Sequence, residues 1–110
     1  MMRFFERYPQ EKSRYHISPT LLWEYDYDHF DWMKYRKVVV ERVLQMGRLS
    51  DWFAAFDLYG GIRGFRKIAK EEVDDLDERT LDFMCLALGL KKEETLCYKS
   101  KLLRPQPSIY

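Results

Sequence analysis

No segment of this chain alternates apolar and polar residues with the two-residue period of a half-buried strand. Its apolar residues recur every three or four positions instead, in short runs punctuated by glycine, serine and aspartate. That pattern leaves one fold class open. The expectation is an all-α, single compact domain of five or six short helices around an apolar central helix, with an aromatic N-terminal arm. A chain of 110 residues suits one domain, and folding at that size hides roughly 65% of the unfolded surface. Three stretches follow from composition: an aromatic arm over 1–16, a helical domain over 17–98, and a basic, proline-containing tail over 99–110.

The helix boundaries are read from local chemistry. Ser18-Pro19 suits a helix start, because serine caps and proline fits the first helical position. A short helix over 20–25 would carry Leu21, Leu22 and Trp23. Asp31 is placed to cap the strongest helix, 32–46. Its arc of Tyr35, Met46, Val39, Trp32 and Val43 widens through Val40, Met33 and Leu44 to half the circumference. Gly47 reads as a left-handed stop. Ser50 then caps 51–59, Gly60-Gly61 breaks the chain, and a fourth helix covers 62–73. Gly64 weakens the first turn of that helix by up to about 1 kcal/mol. Asp77 caps a fifth helix over 78–88, which is apolar nearly all round and so is expected at the centre. Gly89-Leu90 ends it with a hydrophobic clamp. A last short helix over 92–98 precedes 101–107, which cannot continue it.

Aromatic residues make up 16% of the chain and apolar residues 46%, which excludes disorder. Eight rings lie early: Phe4, Phe5, Tyr8, Tyr15, Trp23, Tyr25, Tyr27 and Phe30. They exceed what an arm needs for itself. Two readings stand: a belt around the core, which is favoured, or a contact patch.

Net charge is only +1, but it is laid out in blocks. Residues 1–30 carry −1, 31–70 carry +5, 71–90 carry −6 and 91–110 carry +3. A uniform polyanion binder would be basic throughout. Opposed blocks instead neutralise one another, within the fold or across a subunit contact. No apolar run approaches the ~18 residues of a membrane span. The first residues include Glu6 and lack the apolar stretch of an export signal. Cys85 and Cys97 are therefore expected as reduced thiols in a cytoplasmic protein.

Catalytic, cofactor and metal sites are not expected. There is no Gly-x-Ser-x-Gly and no cysteine beside a base in sequence. Gly60-Gly61-x-x-Gly64 follows a helix rather than a strand, so a nucleotide loop fails on context, although backbone amides there remain an anion-site alternative. His29 lies among Asp26, Asp28 and Asp31, but the loop lacks the glycine and distal glutamate of a calcium loop. It reads as a polar connection plus a cap. His16 is expected at the surface. The carboxylates of 71–78 read as solvated charge.

Arg63, Arg66, Lys67 and Lys70 share one helix face, away from Ile62, Phe65 and Ile68. They are either a solvated face, paired in part with Glu71 and Asp74, or a surface for an acidic partner or phosphate. Arg36 lies inside the apolar arc of its helix. It either pairs with an acid such as Glu24 or Asp28 or reaches into an interface. The hairpin at 32–59 invites comparison with helix-turn-helix DNA binders. Its outward residues would be Ser50, Asp51, Ala54, Ala55, Asp57 and Leu58, which suit neither bases nor phosphates.

Ile17-Ser18-Pro19-x-Leu21-Leu22-Trp23-Glu24-Tyr25-Asp26, then Trp32, Val39-Val40-Glu41-Arg42-Val43-Leu44, Gly47, Asp51-Trp52 and Tyr59-Gly60 form one pattern. With Leu76 and Cys97-Tyr98 before a basic tail, it resembles a family of small bacterial proteins of uncharacterised function. The resemblance spans roughly 17–100. Members of such families are often encoded beside nucleotidyltransferase-type toxins of abortive-infection systems, so it implies an antitoxin-like or accessory partner. Gly61 and the basic face after it lie outside that pattern, and no site is carried onto them.

The functional expectation is a non-enzymatic cytoplasmic protein-interaction module. Arg63, Arg66, Lys67, Lys70 and Arg36 are its candidate contact residues. A homo-oligomer is compatible with this, nucleic acid is disfavoured, and no membrane is implied. The alternative is a small DNA-binding regulator using the 32–59 hairpin.

Overall fold

The computed structural model describes residues 15–103. Five α-helices and three short 3-10 turns make up this part, with no strand among the described residues. The helices are α1 (Arg36–Met46), α2 (Leu49–Leu58), α3 (Gly61–Glu71), α4 (Glu78–Leu88) and α5 (Leu96–Leu103). The arm residues Phe4, Phe5 and Tyr8, and the tail from 104 onward, lie outside the described residues.

The apolar helix at the centre is α2, not α4. Six successive residues of α2, from Asp51 to Phe56, are buried. The helix packs on both α1 and α3. Trp52, Phe53, Phe56 and Phe65 meet there edge-on or tilted, with centroids 5.2–6.4 Å apart. The α4 helix buries Leu81, Met84, Ala87 and Leu88 but exposes Phe83 and Leu86. Its all-round apolar composition therefore reflects a wider stripe than its core contact uses.

The caps agree with local chemistry in some places and depart in others. The Asp77 carboxylate accepts the Thr80 N–H at 3.3 Å and the Thr80 hydroxyl, and α4 starts where expected. Gly89 is left-handed (φ 66°), and the N–H of buried Leu90 reaches back to the Cys85 carbonyl at 2.9 Å. Gly47, by contrast, is extended (φ −73°, ψ 148°). What favours glycine there is crowding, because a Cβ would lie 2.7 Å from the Val43 oxygen. Ser50 is not the cap of α2. The Asp51 carboxylate reaches back to the Arg48 N–H at 2.9 Å, and the helix begins at Leu49. Gly64 is set by contact rather than propensity: a Cβ on it would stand 1.6 Å from the Tyr59 carbonyl oxygen.

The expected long helix over 32–46 is shorter. Asp31 does cap a turn, accepting the Lys34 N–H at 3.0 Å, but α1 starts at Arg36. Val39, Val40, Val43 and Leu44 form its buried side, while Met33 and Met46 are exposed. Trp32 and Tyr35, off the regular helix, join Tyr25, Tyr27 and Phe30 in one aromatic cluster with centroids 4.8–5.7 Å apart. The expected helix over 20–25 is a 3-10 turn, Pro19–Leu22. It buries Leu21 and Leu22 but leaves Trp23 79% exposed. At the other end, a 3-10 turn over Lys92–Glu94 leads into α5, which runs to Leu103. The chain from 101 to 103 is therefore helical, contrary to the reading of that stretch, and passes the boundary expected at 98.

Most of the early rings that are described pack as a belt. Tyr15, Tyr25, Tyr27 and Phe30 lie against the core, and Tyr15 meets Phe53 at 6.1 Å. Trp23 is the exception. The charge blocks neutralise within the fold: Arg36 meets Glu72 at 3.0 Å, Lys37 meets Asp74 at 2.8 Å, and Lys92 meets Asp82 at 2.8 Å. Both cysteines are free thiols, and burial pushes the Cys85 thiol up.

Candidate functional site

The basic face of α3 resolves into two kinds of cation. Phe65, Ile68 and Ala69 hold the inner side of the helix. On the outer side, Arg63 and Lys67 are exposed, four residues and so about one turn apart. Neither makes an ion pair within the described residues. Arg66 is used by the fold: its Nε donates to the Leu88 carbonyl at 2.9 Å and its guanidinium also reaches the Gly89 carbonyl at 3.1 Å. It thereby satisfies the C-terminal end of α4, where carbonyls lack helical partners. Lys70 lies 3.9 Å from Glu94 rather than pairing with Asp74, which is held by Lys37. Asp74 is the first cause that raises the Lys37 ammonium.

Arg36 is an internal tie. Its Nε donates to Glu72 at 3.0 Å and its terminal nitrogen to the Met33 carbonyl at 2.8 Å. Neither acid named from the sequence is its partner. Glu24 bonds to Arg42, which also donates to the Leu21 carbonyl at 2.9 Å. That bond holds the Glu24 carboxyl below its usual range. The imidazole of His29 lies 2.9 Å from Asp26, both exposed. No group of three possible metal ligands converges among the described residues.

The helix that would read bases in a helix-turn-helix is α2, the most enclosed of the five. Asp51, Ala54 and Ala55, expected to face outward, are buried. The segment at 15–18 and the loop at 27–32 cover that side. Four hydrogen bonds seat the cover. Ser18 donates to Asp51 from both its N–H and its hydroxyl, the Tyr27 hydroxyl donates to the Ile17 carbonyl at 2.8 Å, and the Tyr59 hydroxyl donates to the Trp32 carbonyl at 2.8 Å. Burial pushes both phenols up.

The cover does not close completely. A cleft of about 400 Å³ remains between it and α2. Tyr15, Tyr27 and Trp32 line it from the cover, and Ala54, Asp57 and Leu58 from one face of the helix. His16 and Ile17 complete the lining. No sequence motif marks this cleft, because it depends on two segments about 25 to 40 residues apart being brought together.

Residues 17–69 match the model of a family of unknown function, DUF6922. The matched stretch takes in the covering segment, α1, α2 and most of α3. It is shorter than the resemblance read from the sequence, and the family carries no activity onto the chain. No curated protein and no solved structure matches the chain.

Proposed function

We propose that this chain is a non-enzymatic protein-interaction module, and that the exposed face of α3 meets an acidic surface on its partner. The observation that carries the reading is the division of labour on α3. Arg66 is consumed in closing α4, whereas Arg63 and Lys67 project without a structural task among the described residues. Paired cations on a rigid helix favour an anionic partner and speed its encounter. The partner class implied by the sequence resemblance is a nucleotidyltransferase-type toxin, with this chain as its antitoxin-like or accessory protein. The enclosure of α2 supports this reading over a DNA-binding regulator, since a recognition helix must present its side chains to a groove.

The test is a double charge reversal, Arg63→Glu with Lys67→Glu, in affinity capture from the source cell. A single protein retained by the native chain and lost by the variant at unchanged melting temperature supports the proposal. Equal recovery by both chains overturns the assignment of the surface. Salt-dependent binding of duplex DNA that the reversal abolishes favours the regulator instead.

A further inference from the structure

We propose that the cleft between α2 and its cover binds the cationic head of an arginine or lysine side chain presented by a basic segment of a partner protein. The inference is independent of the α3 face.

The chemistry of the walls selects the charge. Three rings, Tyr15, Tyr27 and Trp32, line the cleft, and Asp57 is its carboxylate. Among the described residues, no lysine or arginine lines it. Aromatic faces carry negative potential and hold guanidinium or ammonium groups, most strongly over tryptophan. A carboxylate beside them adds a charge-assisted hydrogen bond. The same carboxylate repels phosphate, which disfavours nucleotides and nucleic acid.

The polar groups left for recognition are few. The Tyr27 hydroxyl is committed to the Ile17 carbonyl, and the Trp32 carbonyl to Tyr59. Asp57 is half-buried and has its own interactions within the protein. A carboxylate offers about four acceptor positions, so an existing bond does not exhaust it. The remaining lining includes apolar surface. Ala54 and Ile17, both buried, are among the residues that line it. Its volume of about 400 Å³ is at the low end for ligand sites, which suits one long side chain.

The test uses the full chain labelled with nitrogen-15 and two blocked tripeptides, Gly-Arg-Gly and its uncharged isostere Gly-citrulline-Gly. The expected result is a saturable shift of the Trp32 indole N–H and the Asp57 amide with the arginine peptide only. Asp57→Asn should weaken that binding by about tenfold, and Asp57→Lys should abolish it, both at native melting temperature. Ala54→Leu should block binding by filling the cleft; if it unfolds the protein, the Asp57 variants still decide. Equal shifts with the citrulline peptide overturn the proposal, as does unchanged affinity in Asp57→Asn. Adenosine monophosphate shifting the same signals in place of the arginine peptide overturns it too. So does the absence of any saturable shift up to about 50 mM peptide, beyond the millimolar range of a single-side-chain contact.

Discussion

Ser18 donates twice to one oxygen of Asp51, from its main-chain N–H and from its hydroxyl, each at 2.8 Å. The second carboxylate oxygen accepts the Arg48 N–H at 2.9 Å. One side chain, 1% exposed, thus starts α2 and fastens the segment that covers it. Replacing Asp51 by alanine strands buried donors and is expected to cost about 3 kcal/mol. Asp51→Asn should cost less than alanine, because its amide oxygen still accepts from Ser18 and only the bond from the Arg48 N–H is lost. Ser18→Ala should cost about 1 kcal/mol. Urea unfolding of the three variants measures the order.

Two glycines of the same helix start should respond differently. Gly64→Ala drives a methyl into the Tyr59 carbonyl, 1.6 Å away, and backbone rather than a flexible side chain must yield. A loss of about 3 kcal/mol or more is expected. Gly60 has φ +86° but no crowding closer than 4.0 Å. Its alanine variant should lose only the left-handed penalty, about 1 kcal/mol. Thermal unfolding should place Gly64→Ala well below Gly60→Ala.

Arg36 and Arg66 look alike in the sequence and should behave differently on truncation. The Arg36–Glu72 pair is more than a third exposed on the arginine side. Arg36→Met is expected to cost less than about 1 kcal/mol, as for surface pairs. Arg66→Met leaves the Leu88 and Gly89 carbonyls without their donor. A cost of about 1–2 kcal/mol is expected. Denaturant midpoints compared at equal slope check the difference.

Glu41 provides a pH signature. Burial is the main cause raising its carboxyl, with Lys37 opposing and Asp74 and Asp75 adding to the rise. The folded state therefore holds the proton more tightly than the unfolded one, and this group's contribution is lost as pH rises through its folded value. Glu41→Gln should raise the melting temperature at pH 7. The gain should vanish below about pH 4, where the native side chain is protonated in both states. A melting-temperature series from pH 3 to 8 on both chains shows whether the gain follows that course.

What was legible in the sequence was what neighbours in the chain decide. Asp77 capping Thr80 and Gly89 ending α4 are contacts within a few residues, and both were placed correctly. What escaped was set at a distance. Asp51 looked like an outward acid because its partner, Ser18, is 33 residues away. Gly64 looked like a weak spot because the Tyr59 carbonyl that presses on it follows no pattern in composition. Of the two readings open for Arg36, pairing is the one the fold uses, but with neither Glu24 nor Asp28: Glu72 is supplied by the end of another helix. The basic face was legible as a face. That Arg66 serves α4 was not, since its acceptors are carbonyls that no side-chain pattern reveals.

The clasp between Ser18 and Asp51 also bears on the order of folding. Closing it gathers a loop of 33 residues, whereas α1, α2 and α3 follow one another through turns of two residues. Chain entropy therefore lets the helices assemble early and makes the covering limb a late arrival. On the reverse path the limb is the natural first part to lift, exposing the Ala54–Asp57 side of α2 before the aromatic centre gives way.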